Sequence, residues 1–127
     1  MLGDKQSIAT LAVKDLKAAT RFYEDKLGFV PVDREGDEVV TYRSGPSVFN
    51  VYHSKYAGTN KATALTFDVD DIDKEVGELK EKGIFFEQYD LPGLQRQGDC
   101  YDGEGGFKTT WFKDPDGNIL SLMEEGD

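Results

Sequence analysis

Short stretches of alternating apolar and polar residues open the chain. Residues Ile8–Val13 alternate with a period of two, which predicts a β-strand. Asp15 follows at a position suited to a helix N-cap, and apolar residues at helical spacing continue over Leu16–Leu27 until Gly28, a residue type that commonly ends helices. The chain therefore begins with a predicted strand and helix. Three further strands are predicted after them, separated by polar turns: Phe29–Asp33, Glu38–Arg43 and Ser47–His53.

The same order of patterns starts again in the second half of the chain. Ala64–Val69 alternates like a strand, Asp71 is placed as an N-cap, and Ile72 begins a helical pattern that ends at Gly83. Three pairs of positions keep one constant spacing: Val13 and Val69, Asp15 and Asp71, and Leu16 and Ile72. Gly83 follows Gly28 at a spacing one residue shorter. The repeat predicts an α+β fold of two βαβββ modules, at about residues 6–56 and 60–125, in a single domain spanning 1–127.

The second module is predicted to finish with three more strands: Ile84–Tyr89, Lys108–Lys113 and Ile119–Met123. A glycine-rich connection over Leu91–Gly106 separates the first two of these strands and is too long for a simple hairpin. Connections of this length without regular structure are often lids or binding loops. We expect Leu94–Gly106 to be the most mobile internal segment, because it has few apolar residues to bury.

Two sequence motifs stand near the two ends of this pattern. The first comprises Val13–Leu16, Phe22–Tyr23 and Leu27–Phe29, and the second is the turn Asp114–Asn118 before the final strand. Each has a structural explanation, as core aromatic residues, a helix stop and a tight turn. Together, in this order, they resemble the glyoxalase/bleomycin-resistance/extradiol-dioxygenase group, the vicinal oxygen chelate superfamily. The resemblance implies a homodimer, and it implies that the modules pair into an open, barrel-like trough of curved mixed sheet with the helices outside.

The resemblance also supplies a test for metal binding. Many members bind their substrates on a divalent metal, using His or Glu from the first and last strands of each module. The corresponding positions here are Ile8, Asn50, Ala64 and Ser121. Two of these side chains have no donor atom, and a neutral amide and hydroxyl are poor ligands. His53, the only histidine, is expected at the rim of the site, with a pocket role as the alternative. We therefore predict no metal and no cofactor.

The charge balance excludes other classes of protein. The chain has 25 acidic and 15 basic residues, a net charge of -10, with the basic residues interspersed among acids. This distribution argues against nucleic-acid binding. It is explained by solubility, or alternatively by attraction of a cationic ligand. No apolar run approaches the length of a membrane span and the first residues lack a signal-peptide pattern, so we expect no membrane association and a cytoplasmic location. Cys100, the only cysteine, has acidic neighbours and is expected to be unreactive.

Small and apolar side chains are expected to face the implied trough. Such a lining is typical of a small-molecule site. The expected function is metal-independent binding of a cationic or aromatic, antibiotic-like molecule, in the manner of bleomycin-resistance proteins. The alternatives are an enzyme of the same superfamily, such as a lyase or dioxygenase with an atypical site, and a regulatory module whose trough is closed by side chains. The ligand-binding residues predicted are Ile8, Thr10, Asn50, Ala64, Thr66, Trp111, Ser121 and Met123.

Overall fold

The computed structural model describes residues 1–126 and shows an α+β fold made of two compact units. The first unit is Met1–Thr59 and the second begins at Asn60, so the boundary falls between the two predicted modules. We call these units the first and second modules. The single domain over 1–127 stays a prediction, and its last residue lies outside the described residues. Within residues 1–126, no helix is long and apolar enough to cross a membrane.

The first module is a four-stranded mixed sheet with one helix. The sheet order is β1-β4-β3-β2, in which β1 and β4 are parallel and the other neighbours are antiparallel. Its elements, after a 3-10 turn at Leu2–Asp4, are β1 (Ala9–Val13), α1 (Leu16–Thr20, continued by a π-helical segment Arg21–Lys26), β2 (Val30–Glu35), β3 (Val39–Ser44) and β4 (Ser47–His53). The predicted strands are present, with ends shifted by a few residues.

The first helix carries one residue more than a regular α-helix would. Asp15 caps it as predicted, because a carboxylate oxygen accepts a hydrogen bond from the Ala18 N–H at 3.2 Å. At the other end the Leu27 N–H donates to the Phe22 carbonyl at 3.1 Å, a π-type bond between residues five apart. Gly28 then adopts a positive φ of 82°. A π turn accommodates one inserted residue, which explains why the helix-ending glycines of the two modules are out of step by one.

The helix packs on an aromatic face of the first sheet. Tyr23 is fully buried and stacks on Tyr42 with ring centroids 5.9 Å apart. Phe29 meets Phe49 edge to face at 5.1 Å. The Tyr42 hydroxyl donates to a Glu24 carboxylate oxygen at 2.8 Å, so this buried polar group is satisfied. The opposite face of the sheet is therefore the one left to meet a ligand or another surface.

The second module repeats this plan with one extra strand. Its sheet order is β5-β9-β8-β7-β6, again with only the first pair parallel. The N-cap is Asp71, whose carboxylate accepts from the Lys74 N–H at 3.2 Å. Its elements are β5 (Thr63–Asp68), α2 (Ile72–Glu81), β6 (Gln95–Gln97), β7 (Cys100–Asp102), a 3-10 turn at Glu104–Gly106, β8 (Lys108–Lys113) and β9 (Ile119–Glu124). Strands β5, β9, β8 and β7 thus stand in the order of β1, β4, β3 and β2.

The predicted strand Ile84–Tyr89 is wrong. This segment forms a single bridge, between Phe86 and Phe112 of β8. The remaining length of the β8 edge is paired instead by β7, through Tyr101 and Thr109. The predicted loop Leu91–Gly106 therefore contains a β6–β7 hairpin, and Tyr101 within it is 2% exposed. Two separate segments thus share the edge that one strand was expected to cover.

The turn between β8 and β9 has the structure that its sequence predicts. The buried Asp114 carboxylate accepts from the N–H groups of Asp116 and Asn118, both at 2.9 Å, and from the Asn118 side-chain amide at 2.8 Å. Gly117 has a positive φ of 89°, which a residue with a Cβ adopts at a cost. This turn fixes the register in which β9 returns along β8.

Candidate functional site

The strand registers align equivalent positions in the two modules. In the first module Asn50 lies between Thr10 of β1 and Thr41 of β3, and the Thr41 hydroxyl donates to its amide oxygen at 2.6 Å. In the second module Ser121 lies between Thr66 of β5 and Trp111 of β8. The register therefore makes Asn50 the counterpart of Ser121, as the sequence analysis supposed.

Three of the predicted site residues meet in the second module. The Ser121 hydroxyl donates to the Thr66 hydroxyl oxygen at 2.7 Å, and Trp111 is the register partner of Ser121 on the other side. Met123 lies two residues further along β9 and shares their face of the sheet. These side chains come from three adjacent strands, and Thr66, Ser121 and Met123 share one face as the period-two pattern predicts.

Other predicted positions do not join this group. Ile8 precedes β1 rather than belonging to it, and its side chain is 46% exposed. Ala64 lies at an irregularity in the pairing of β5 with β9, between Thr63 and Leu65. Alternation alone gives no sign of either feature, because both depend on how the neighbouring strand is aligned.

The family's metal-ligand positions do not fit a divalent ion in this chain. Ile8 and Ala64 carry no donor atom, and the polar groups of Asn50 and Ser121 are hydrogen-bonded to neighbouring threonine side chains. Tight zinc and hard-cation sites need imidazole or carboxylate donors. Within residues 1–126, no three His, Cys, Asp or Glu side chains are grouped so that they could hold an ion.

An aromatic cleft lies beside these strands in the second module. Tyr89 and Tyr101 both meet Trp111 edge to face, with ring centroids 5.4 and 5.5 Å apart. The Trp111 indole N–H donates to the Thr63 hydroxyl at 3.1 Å, and the Tyr89 backbone N–H donates to the Tyr101 hydroxyl at 2.6 Å. These bonds fix the three rings relative to one another, so they form a preorganised apolar wall.

Two cavities flank the aromatic cleft and share Tyr89 and Leu91. The smaller, here called the Lys61 cavity, measures about 260 Å³ and is lined by Lys61, Ala62, Thr63, Tyr89, Leu91, Trp111 and Ile119. The larger, the Arg96 cavity, measures about 450 Å³ and is lined by Gln88, Tyr89, Asp90, Leu91, Leu94, Arg96 and Tyr101. Cavities that combine apolar or aromatic walls with a few polar groups are typical of small-molecule sites.

The cleft occurs where the cover of the β8 edge changes from one segment of the chain to another. Trp111 lies between Phe112, which bridges to Phe86, and Thr109, which pairs with Tyr101. The Trp111 carbonyl accepts from the Glu87 N–H at 2.8 Å, and two residues further on the ring of Tyr89 meets the ring of Trp111. The sequence analysis named Trp111 as a ligand-binding residue but missed Tyr89, since it placed Tyr89 at the end of a regular strand. An aromatic residue directly before a long glycine-rich connection was the available signal.

Two titratable side chains of the second module are held neutral. The Tyr89 hydroxyl is enclosed and, among residues 1–126, finds no hydrogen-bond partner. Burial, and then the negative charge of Glu87, raise the pKa of Tyr89. Cys100 lies on β7, on the face opposite to Tyr101. Burial and the nearby Asp73 carboxylate raise the pKa of Cys100 to about 11. This agrees with the expectation that Cys100 is unreactive.

His53 lies in the first module, at the end of β4. Its side chain is 51% exposed, with Nδ1 3.7 Å from a Glu38 carboxylate oxygen. It borders a polar cavity of about 430 Å³ whose other lining residues include Lys17, Arg34 and Asp37. His53 thus borders a cavity of the first module that is lined by mixed charges rather than by rings, and its role at a ligand site stays a prediction.

Comparisons with known proteins agree with this fold. The family model of the Glyoxalase/Bleomycin resistance protein/Dioxygenase superfamily matches residues 5–122. A glyoxalase family protein from Enterococcus faecalis superposes with a TM-score of 0.73 at 23% identity, covering 98% of this chain and 100% of the other. Lactoylglutathione lyase from Agrobacterium tumefaciens gives 0.70 at 18%, covering 95% and 93%. TnmS3, an antibiotic binding protein from Streptomyces sp. CB03234, gives 0.64 at 19%, covering 97% and 98%.

These solved structures share the fold at identities too low to carry a function across. They include both an enzyme and a binding protein, which is the diversity that the family description itself names. The family match, by contrast, extends over nearly all of the chain and contains both motifs from the sequence analysis. The chain therefore belongs to the glyoxalase/bleomycin resistance protein/dioxygenase superfamily.

Proposed function

We propose that this protein binds a small aromatic molecule in the aromatic cleft and does so without a metal ion. The observation that carries the proposal is the wall formed by Tyr89, Tyr101 and Trp111, with a cavity on each side of Tyr89. Aromatic side chains bury a large apolar area and prefer edge-to-face or offset partners, so a planar ring is the ligand that matches them.

The polar groups within and beside the cleft support binding more than catalysis. The hydroxyl groups of Thr66 and Ser121 are hydrogen-bonded to each other, and the raised pKa of Tyr89 keeps its hydroxyl neutral. Nucleophilic catalysis needs a nucleophile with an adjacent base, and the family's Lewis acid has no ligand set here. The fold of the antibiotic binding protein TnmS3 is compatible with this function. The enzyme alternative, suggested by the fold of a lactoylglutathione lyase, is an outcome of the test.

Trp111 makes the test direct because it is the only tryptophan in the chain. Planar aromatic ligands that enter the cleft should change the fluorescence of Trp111. They should also raise the melting temperature, because a ligand at a hundredfold excess over Kd adds about 2.7 kcal/mol to the free energy of unfolding. Treatment with a chelator should change neither the melting temperature nor the affinity.

Matched tyrosine variants test whether the cleft is the site. Tyr89→Ala should weaken binding about tenfold, as expected for loss of one aromatic contact. Tyr56→Ala is the control, because Tyr56 is a 68% exposed tyrosine of the first module. Equal affinities for the two variants would move the site away from the cleft. One equivalent of tightly bound metal, with turnover lost on chelation, would establish the enzyme alternative instead.

A further inference from the structure

The Lys61 cavity has a single charged side chain in its lining, and that side chain is a cation. Among residues 1–126, Lys61 forms no ion pair, whereas Lys80 pairs with Asp99 at 2.8 Å and Lys113 with Glu87 at 3.2 Å. Acidic residues outnumber basic ones in this chain by 25 to 15, yet none of them neutralises Lys61 in the part that the structure describes. The lining of this largely apolar cavity therefore includes an ammonium group that is available to a ligand.

A second hydrogen-bond donor, the hydroxyl of Thr63, lines the same cavity. The Thr63 hydroxyl oxygen accepts from the Trp111 indole N–H at 3.1 Å. A hydroxyl has one proton to donate in addition to its lone pairs, and among the described residues the Thr63 proton has no acceptor in hydrogen-bond range. Trp111 thus holds the Thr63 oxygen in place and leaves its proton free for another molecule.

The rest of the lining offers a ligand no side-chain carboxylate. Ala62, Leu91 and Ile119 are apolar, and Tyr89 contributes a ring whose hydroxyl is enclosed. A carboxylate has two acceptor oxygens in one plane, and charge-assisted bonds to it are among the stronger hydrogen bonds. Resting on the proposed function, we propose that the cleft selects aromatic carboxylates, with the ring against Trp111 and the carboxylate between Lys61 and Thr63.

The preference predicted here is opposite in sign to the one that total charge suggests. The net charge of -10 favours cationic ligands at long range. At physiological ionic strength, however, charges more than about 8 Å away are largely screened, so the groups touching the ligand decide. The Arg96 cavity contains both Arg96 and Asp90 and favours neither sign. The selection for an anion is therefore assigned to the Lys61 cavity alone.

The experiment compares three probes that share one planar skeleton: trans-cinnamate, trans-cinnamamide and cinnamylamine. Their Kd values are measured by calorimetry and by the fluorescence of Trp111. We expect the carboxylate to bind about fivefold to tenfold more tightly than the amide, and the amine to bind most weakly, as an ion pair near a protein surface predicts. Added salt should weaken the binding of the carboxylate but leave the binding of the amide unchanged.

Two lysine variants locate the effect. Lys61→Gln should remove the difference between carboxylate and amide, and Lys61→Glu should reverse it in favour of the amine. Lys74→Gln is the matched control, because Lys74 lies on α2 and lines neither cavity, and it should leave the preference intact. Equal binding of carboxylate and amide by the unmodified protein would overturn the anion selection while leaving the proposed function standing. If none of the three probes binds, the proposed function fails, and this inference with it.

Discussion

Adjacent residues of β7 face opposite sides of the second sheet and have unrelated chemical roles. Tyr101 contributes a ring to the aromatic cleft, whereas Cys100 is buried on the helix side, 3.8 Å from an Asp73 carboxylate oxygen. A hydrophobic site and an acidic one are thus separated by the thickness of a strand. Reagents or ligands that reach one of these side chains do not reach the other.

Cys100 should react slowly with iodoacetamide in the native protein. Its pKa is raised from 9.0 to about 11, so at pH 8 the folded protein holds roughly 100-fold less thiolate than the unfolded chain. The rate measured against pH should rise with a midpoint near 11, and near 9 in urea. Because the folded state keeps this proton longer, the associated stabilisation is present below pH 9 and is lost as the pH rises towards 11. A native midpoint below 9 would contradict the burial of the thiol.

Replacing Asp114 should cost more stability than replacing other turn residues. Asp114→Ala removes a buried carboxylate that accepts three hydrogen bonds, so we expect a loss of about 3 kcal/mol in the free energy of unfolding. Asp37→Ala, at an exposed turn position of the first module, should change it by less than about 0.5 kcal/mol. Urea denaturation followed by circular dichroism measures both free energies of unfolding. Similar losses for the two variants would show that the hydrogen bonds of the Asp114 carboxylate do not stabilise this turn.

At the scale of elements, the two helices differ by one residue, and the π turn shows where that residue is absorbed. The helix of the second module is regularly α-helical over Ile72–Glu81, and its end is fixed by the Ile84 N–H donating to Leu79. The first helix instead carries a π-helical segment before Gly28. The extra residue therefore lies within Arg21–Lys26.

Deleting Asp25 should convert the π segment to regular α-helix with little loss of stability, below about 1 kcal/mol. Asp25 is exposed, and its removal keeps Gly28 at the end of the helix. Deleting the exposed Glu78 is the matched control. It should cost about 3 kcal/mol or more, because removal of one residue from an α-helix rotates the downstream residues by about 100° and displaces the buried Ile84. Equal losses for the two deletions would show that the π turn is not an inserted residue.

Sequence reasoning succeeded where the signal was local. Alternation around Leu11 and Leu65, together with the caps Asp15 and Asp71, identified strands and helices, because these depend on neighbouring residues. It failed at Ile84–Tyr89, because an apolar run does not reveal that β7 competes for the same edge of β8. Because this strand was predicted wrongly, the sequence analysis did not predict the aromatic cleft. Tertiary pairing, rather than propensity, decided the outcome there.

At the scale of the whole molecule, several large apolar side chains remain exposed. Val30 and Val32 lie on the edge strand β2 with 66% and 43% exposure, and Phe85 is 86% exposed. Exposed apolar edge strands are prone to pairing with another chain. The homodimer expected from the family resemblance would provide a cover for such residues.

Sedimentation at micromolar concentration should therefore show a species of twice the 14.2 kDa chain mass. Val30→Glu and Phe85→Glu, measured separately, should identify the face involved, because a charge buried in an interface weakens association. The variant outside the interface serves as the control for the other. A single species at the mass of one chain, unchanged on concentration, would rule out the dimer.

The divided edge of β8 has a consequence for how the protein could acquire new ligands. One end of that edge is held by Phe86 and the other by Tyr101, through pairings that do not depend on each other. The chain between Tyr89 and β6 can therefore lengthen, shorten or change composition without altering the strand pairings on either side of it. Since this same chain supplies Leu91 and Leu94 to the cavities, the chemistry of recognition can diverge, or be grafted from a relative, on an unaltered sheet.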